Sequence, residues 1–356
     1  MNDLTIGLLS ALLATNQPQA VSNVIHEQAG VAINLTADPA EKELRTVMMA
    51  DDAAMDDVNQ WIHDFDALSQ TNKTKEVTQA LNQRIQKRLD LVRTDYQNFL
   101  RIHPDSAHGY LAYGSFLNSI GDEEGAVAQY ENSKQLDPKN PAVWNNLANY
   151  YGEFSPVTNA FAYYAEAIKL DPTEPVYYQN FATTVYLFRK DAREFYHIDE
   201  QQVFDKALGL YRQAMKLAPD NLVLATDYAE SYYGIKPLRT NDALVAWTNA
   251  LKIAHTDLER EGVLIHLARI KISAGMFDEA QATLDTITNV AYADLKRRLE
   301  RSLADHKNPP PEDAPENSTN NPPATASAVT AGTGTTPAPP SDQPAEATVQ
   351  PTPKPE

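Results

Sequence analysis

Along residues 75–104 the apolar positions form one stripe: Val77, Leu81, Ile85, Leu89, Val92, Tyr96 and Phe99. Steps of three and four put them on a single face, so the segment predicts one long amphipathic helix, closed by Pro104. Residues 40–69 predict another, striped by Leu44, Val47, Val58, Ile62 and Phe65. Residues 291–305 carry Leu295, Leu299 and Leu303 on one face and charges elsewhere. A polar-faced terminal helix is what a stack of repeats needs at its end.

Between these ends the pattern restates itself. Prolines 104, 138 and 172 are each 34 residues apart. Between the first two lie Tyr110, Tyr113-Gly114, Leu117, Ala126 and Tyr130; between the next two lie Trp144, Leu147-Ala148, Tyr151, Ala160 and Tyr164. Trp144, Leu147 and Tyr151 share one face of a first helix. Ala148 and Ala160 are small enough to let two helices approach closely, and Tyr164 fills the gap to the next helix. Gly121-Asp122 makes a turn inside one helix pair. Pro172 cannot continue a helix, so it ends the second helix and turns the chain.

Large, small and proline positions recurring in one 34-residue register resemble the tetratricopeptide repeat. Three looser copies follow. One has Tyr178, Phe181-Ala182, Val185, Ala207, Tyr211, Ala214 and Pro219, and holds 13 extra residues within 189–205. The next has Ala225, Tyr228-Ala229, Tyr232, Ala243, Trp247 and Ala250, with His255 where proline is expected. The last has Leu264, Leu267-Ala268, Gly275, Ala280 and Leu284, with Lys271 at a tyrosine-type position. The run from Val176 through the insertion is also similar to a group of uncharacterised bacterial tetratricopeptide-repeat proteins, a likeness that supplies no activity. The resemblance implies an all-α fold: a right-handed solenoid of antiparallel helix pairs with capping helices. The expected divisions are an N-terminal segment at 1–38, helices and a half-repeat cap at 39–104, five repeats at 105–290, a capping helix at 291–306 and a tail at 307–356.

Composition changes the picture at the ends. The tail has no aromatic residue and holds 13 of the 23 prolines. It cannot bury enough apolar area to offset its ordering entropy and is expected to be disordered. The apolar stretch at 4–14 is too short to span a bilayer. It reads either as a short packed helix or as a signal-like remnant, although Asp3 precedes it where a signal carries basic residues. A periplasmic or cell-envelope location is the preferred expectation, and a cytoplasmic one the alternative.

Charge and residue types then exclude whole classes. The formal charge of −18 disfavours nucleic acid and anionic membrane surfaces as partners. The absence of cysteine removes disulfides, thiolate nucleophiles and cysteine-based zinc sites. No HExxH, GxxxxGK[ST], GxSxG or GxGxxG occurs. The eight histidines are scattered, and His197 beside Asp199 and Glu200 reads as a solvated loop histidine. Asp51-Asp52 and Asp56-Asp57 lack calcium-loop spacing and read as a solvated acidic face. No catalytic residue, metal ligand or cofactor is expected.

The remaining candidates are surface positions. Doubled tyrosines split between core and surface, because neighbours on a helix point about 100° apart. The register assigns Tyr151, Tyr164, Tyr178 and Tyr232 to the core and turns Tyr186 and Tyr233 toward the inner surface. By resemblance, first helices of the repeats line a concave groove. Carried over here, the groove positions are His108, Leu111 and Ser115; Asn145 and Asn149; Gln179 and Thr183; Thr226 and Glu230; and Ile265 and Arg269. Asn145 and Asn149 are four residues apart, so both amides can address one extended peptide backbone. Few cations occupy these positions, which disfavours a clamp for acidic chaperone tails. The leading expectation is a non-catalytic scaffold for a protein or peptide. The alternatives are an envelope structural protein that uses the tail as a spacer, and an enzyme with a site at Arg189, Lys190, Arg193 and His197 in the insertion.

Overall fold

The computed structural model describes residues 38–68, 74–154 and 156–307. The expectations for 1–37 and for the tail from 308 lie outside the described residues. Fourteen α-helices and no strand occur among those described. They pair in sequence order as antiparallel hairpins. Helices α1 (Pro39–Asp66) and α2 (Lys75–Ile102) make the first. Then come α3 (Ala107–Ser119) with α4 (Glu123–Leu136), and α5 (Pro141–Phe154) with α6 (Val157–Leu170). Helix α7 (Pro175–Leu187) pairs with α9 (Glu200–Leu217) across the short α8 (Arg189–Tyr196). Helices α10 (Leu222–Glu230) and α11 (Thr240–Ile253), then α12 (Asp257–Ser273) and α13 (Phe277–Asp285), complete the pairs. Helix α14 (Ala293–Lys307) packs on α12 and α13.

The N-terminal expectation needs one correction. Residues 75–102 are not a half-repeat but one arm of a full hairpin with α1. Leu44 and Met48 of α1 join Val92, Tyr96 and Phe99 of α2 in a shared core. Polar cross-links fix the pair: Arg88 to Asp57 at 2.8 Å, and the Tyr96 hydroxyl to Asp51 at 3.0 Å. The acidic positions of α1 are therefore partly paired rather than simply solvated.

Two of the restated features carry restated contacts. Asp137 accepts the Lys139 backbone N–H, and Asp171 accepts that of Thr173. These side-chain turns follow the helix ends that the prolines mark. Trp144 Nε1 donates to the Pro138 carbonyl at 2.9 Å, and the Tyr178 hydroxyl donates to the Pro172 carbonyl at 3.2 Å. In these two repeats the opening aromatic thus covers the preceding proline's carbonyl and stays half-buried. This corrects the tyrosine assignment at one pair: Tyr177, not Tyr178, is the buried member. Tyr151 is likewise only half-buried, whereas Tyr164 and Tyr232 are in the core as expected. Gly121 and Gly275 turn within their hairpins at φ 78° and 73°, values that L side chains rarely adopt.

Close helix approach follows from small residues. A Cβ on Gly114 would lie 2.6 Å from the Tyr130 ring. One repeat later, Ala148 and Tyr164 occupy the same positions and are both buried. Large side chains such as Trp247, Phe161 and Leu147 are almost wholly buried, each worth roughly 1.5–3 kcal/mol of hydrophobic burial. No helix among the described residues is long and apolar enough to cross a membrane.

Candidate functional site

The expected groove positions divide into two groups. Three of them serve the repeat itself. Ser115, whose hydroxyl donates to the Leu111 carbonyl at 3.1 Å, sits beside the Tyr130 hydroxyl. Asn149 accepts the Tyr164 hydroxyl at 2.7 Å, and Thr183 bonds the Tyr211 hydroxyl at 2.8 Å. In these three repeats a polar residue on the first helix meets the buried tyrosine hydroxyl of the second. Burial pushes the Tyr130 hydroxyl up to about 12, and raises Tyr164 and Tyr211 further. These hydroxyls stay protonated and need an acceptor.

Leu111 and Asn145 are corrections. Leu111 is fully buried among α2, α3 and α4, so it is a packing residue. Asn145 is 1% exposed; it donates to Asn146 Oδ1 at 3.3 Å and accepts from Asn180 Nδ2 at 3.1 Å. It ties α5 to α7 and offers nothing to a ligand. Ile265 is buried as well. His108 faces Glu41 of α1 at 3.0 Å, well away from the later repeats, and Thr226 bonds the Val223 carbonyl of its own helix.

The second group converges. Gln179 of α7 donates to Asp227 of α10 at 2.7 Å. Glu230 lies one turn on, with its carboxylate 4.0 Å from His266 Nε2 of α12. The Tyr233 hydroxyl and His266 Nδ1 are 3.0 Å apart, and the Arg269 guanidinium lies 4.7 Å from the centre of the Tyr233 ring. Tyr186 flanks this strip, its ring 5.9 Å from Phe204. Gln179, Tyr186, Glu230, Tyr233 and Arg269 were expected from sequence. Asp227 and His266 were not singled out, although Asp227 sits one helical turn before Glu230.

Electrostatics set this strip apart. Burial raises the Asp227 carboxyl, against the lowering effect of the Gln179 bond. Burial also raises Glu230, and the nearby Asp227 charge adds to it, while Arg269 opposes. His266 is lowered to about 4, mainly by burial and then by Arg269, and stacks on Trp247 at 4.2 Å. It is neutral at pH 7, so it does not balance the carboxylates. In register, Glu230 and Trp247 stand where earlier repeats place the polar residue and its tyrosine. Here that pairing is absent: Trp247 is fully buried, and its Nε1 has no partner among the described residues.

The insertion is a second place to look. Arg189, Lys190 and Arg193 border a cleft of about 300 Å³, and Lys190, Arg193 and His197 border one of about 460 Å³. Both also carry carboxylates: Asp191 and Glu200 in the first, Glu194 and Asp199 in the second. Arg189 pairs with Glu200, and Asp199 caps α9 by accepting the Gln202 N–H. His197 has no acid partner among the described residues. Nor does any group of three His, Asp or Glu among them gather to hold a metal ion.

Helix hairpins in a 34-residue register, stacked through shared cores, define a solenoid of the tetratricopeptide type. No family model matches the chain, and no curated protein matches it. Solved structures of similar shape include the C-terminal part of a TPR repeat-containing protein from Cytophaga hutchinsonii, at 14% identity and a TM-score of 0.48, covering 73% of this chain and 99% of that one. PilF of Pseudomonas aeruginosa is similar at 14% identity and a TM-score of 0.46, covering 72% and 99%. YrrB, a TPR protein with an unusual peptide-binding site, is similar at 13% identity and a TM-score of 0.44, covering 58% and 97%.

Proposed function

We propose that the protein is a non-catalytic interaction scaffold whose binding face is the strip of Gln179, Tyr186, Asp227, Glu230, Tyr233 and Arg269. Its ligand is a protein or peptide segment that presents a basic side chain between Asp227 and Glu230. One observation carries the reading. At α10 the tyrosine pairing of the three preceding repeats gives way to two part-buried carboxylates, both raised because burial disfavours their charge. A cation placed against them would relieve that penalty, and the flanking tyrosine rings suit the aliphatic stem and the cation of lysine or arginine.

The test is the double substitution Asp227→Asn with Glu230→Gln, assayed by fluorescence anisotropy with fluorescein-labelled oligolysine and by crosslinking in the native host. Wild type is expected to bind, the variant to bind at least about tenfold more weakly, the scale of one lost charge pair. Asn149→Ala is expected to leave binding unchanged. Equal binding by wild type and the double variant would refute the assignment.

A further inference from the structure

The 13 extra residues within 189–205 carry no recurring motif and no assembled chemistry, yet they are firmly built into the molecule. Ala192 and Val203 are fully buried. Phe195 and Tyr196 pack on Phe161, and the Lys206 ammonium lies 4.1 Å from the Tyr196 ring centre. A capping box between Asp199 and Gln202 starts α9. Helix α9 runs 18 residues, where α4, α6 and α11 run 14 each. The surplus is one turn at its N-terminus, and that turn meets the next repeat.

The next repeat is the irregular one. Its first helix, α10, has only nine residues and ends in a tighter turn at Ser231–Gly234. Residues 235–239 then lead to α11, a longer link than the three residues between α3 and α4 or between α12 and α13. The N-terminal part of α9, the surplus turn and the residues just after it, grips this link. Gln201 Nε2 donates to the Lys236 carbonyl at 3.0 Å. Arg239 forks, one nitrogen donating to Gln201 Oε1 at 2.9 Å and the other to the Asp205 carboxylate. Gln201 and Asp205 are four residues apart, so one face of α9 presents both acceptors. Beneath them Phe204 packs in one core with Ile235, which is fully buried. The Tyr186 hydroxyl closes the far side by lying directly against Gly234, where a Cβ would collide with it.

We infer that the insertion is a brace: Gln201 and Asp205 hold Arg239 and the 235–239 link, and thereby position Glu230 and Tyr233 on the face between repeats. The functional half of this statement rests on the binding face proposed above. These are positioning residues. The surface cations Lys190 and Arg193 have no part in it.

The test is amide hydrogen exchange on the full chain, read at residues 231–239, for Arg239→Ala. Exchange there is expected to rise about tenfold, the effect of losing one or two charge-assisted hydrogen bonds, while residues 107–151 stay as in wild type. Combining Asp205→Arg with Arg239→Asp should recover most of the protection, and Lys190→Ala with Arg193→Ala should change none of it. Should the alanine variant not fold, Arg239→Lys keeps the Asp205 pair, loses the Gln201 bond and should show a smaller rise. Unchanged exchange in the variant that folds overturns the brace. The positioning role is read from the His266 ring resonances, which report the Tyr233 contact, and from oligolysine affinity. In Arg239→Ala the resonances should shift and the affinity should fall. Faster exchange with unmoved His266 resonances overturns the positioning role. If wild type does not bind oligolysine, the ligand reading fails, and exchange together with the His266 resonances still decides the brace.

Discussion

Asn145 gives the sharpest test of how the inner face is divided between fold and ligand. Asn145→Ala removes the acceptor of Asn180 Nδ2 and the donor to Asn146 Oδ1. Asn146 is itself 8% exposed, so its oxygen loses a partner where water cannot easily replace it. An unsatisfied buried group costs roughly 1–3 kcal/mol, and Asn180 is only half-buried, so the sum is about 2–4 kcal/mol. Asn149→Ala is the control. It removes one bond, from the Tyr164 hydroxyl, at an exposed side chain that water can substitute, for about 0.5–1.5 kcal/mol. Urea denaturation followed by circular dichroism ranks the two. Amide exchange across 141–187 then locates the loss, because a repeat array sums local stabilities and interfaces. If Asn145→Ala costs no more than Asn149→Ala, the amide is not a structural tie between α5 and α7, and the original surface assignment returns.

Two further outcomes are expected. Gly114→Ala drives a Cβ into the Tyr130 ring and close to the Ala126 carbonyl, and should destabilise by about 1–3 kcal/mol in the same urea assay. His266 should titrate near its lowered value of about 4 by NMR, against an ordinary 6.5. The unfolded chain therefore takes up this proton first, so the contribution of His266 to stability is complete above pH 6.5 and is lost as pH falls toward 4.

The repeat and its hairpins were legible because one residue set does the same mechanical work every 34 positions. Even the proline-capping bonds of Trp144 and Tyr178 follow from that register. The partnership of α1 with α2 was not legible: an amphipathic stripe says that a helix is buried on one side, not against what. The groove was partly misread for a different reason. Polar residues at Ser115, Asn149 and Thr183 look available when only the first helix is considered. Their partners are tyrosines on the second helix, 15 residues later in two repeats and 28 in the third, where the insertion intervenes. The signal was present as a recurring pair rather than as a recurring residue. Asn145 lacked even that, since its partner Asn180 lies in the following repeat.

That pairing rule makes Glu230 informative. In the three preceding repeats a serine, asparagine or threonine in register meets a buried hydroxyl; Glu230 instead brings a charge that burial and Asp227 both disfavour. Its raised carboxyl means that the native state binds its proton more tightly than the unfolded chain does. The resulting linkage favours the fold below the ordinary glutamate value of 4.5 and fades as pH rises through the raised native value. At pH 7 the charge therefore opposes folding, by an amount that solvent limits because the side chain is 44% exposed. Glu230→Gln should consequently leave stability at pH 7 unchanged or slightly higher, within roughly 1 kcal/mol, while weakening oligolysine binding. A residue that serves binding at the expense of the fold behaves in that way. Thermal unfolding at pH 7 beside anisotropy separates the cases: a loss of more than about 1 kcal/mol on Glu230→Gln would make the carboxylate a structural partner of His266 and remove it from the binding face.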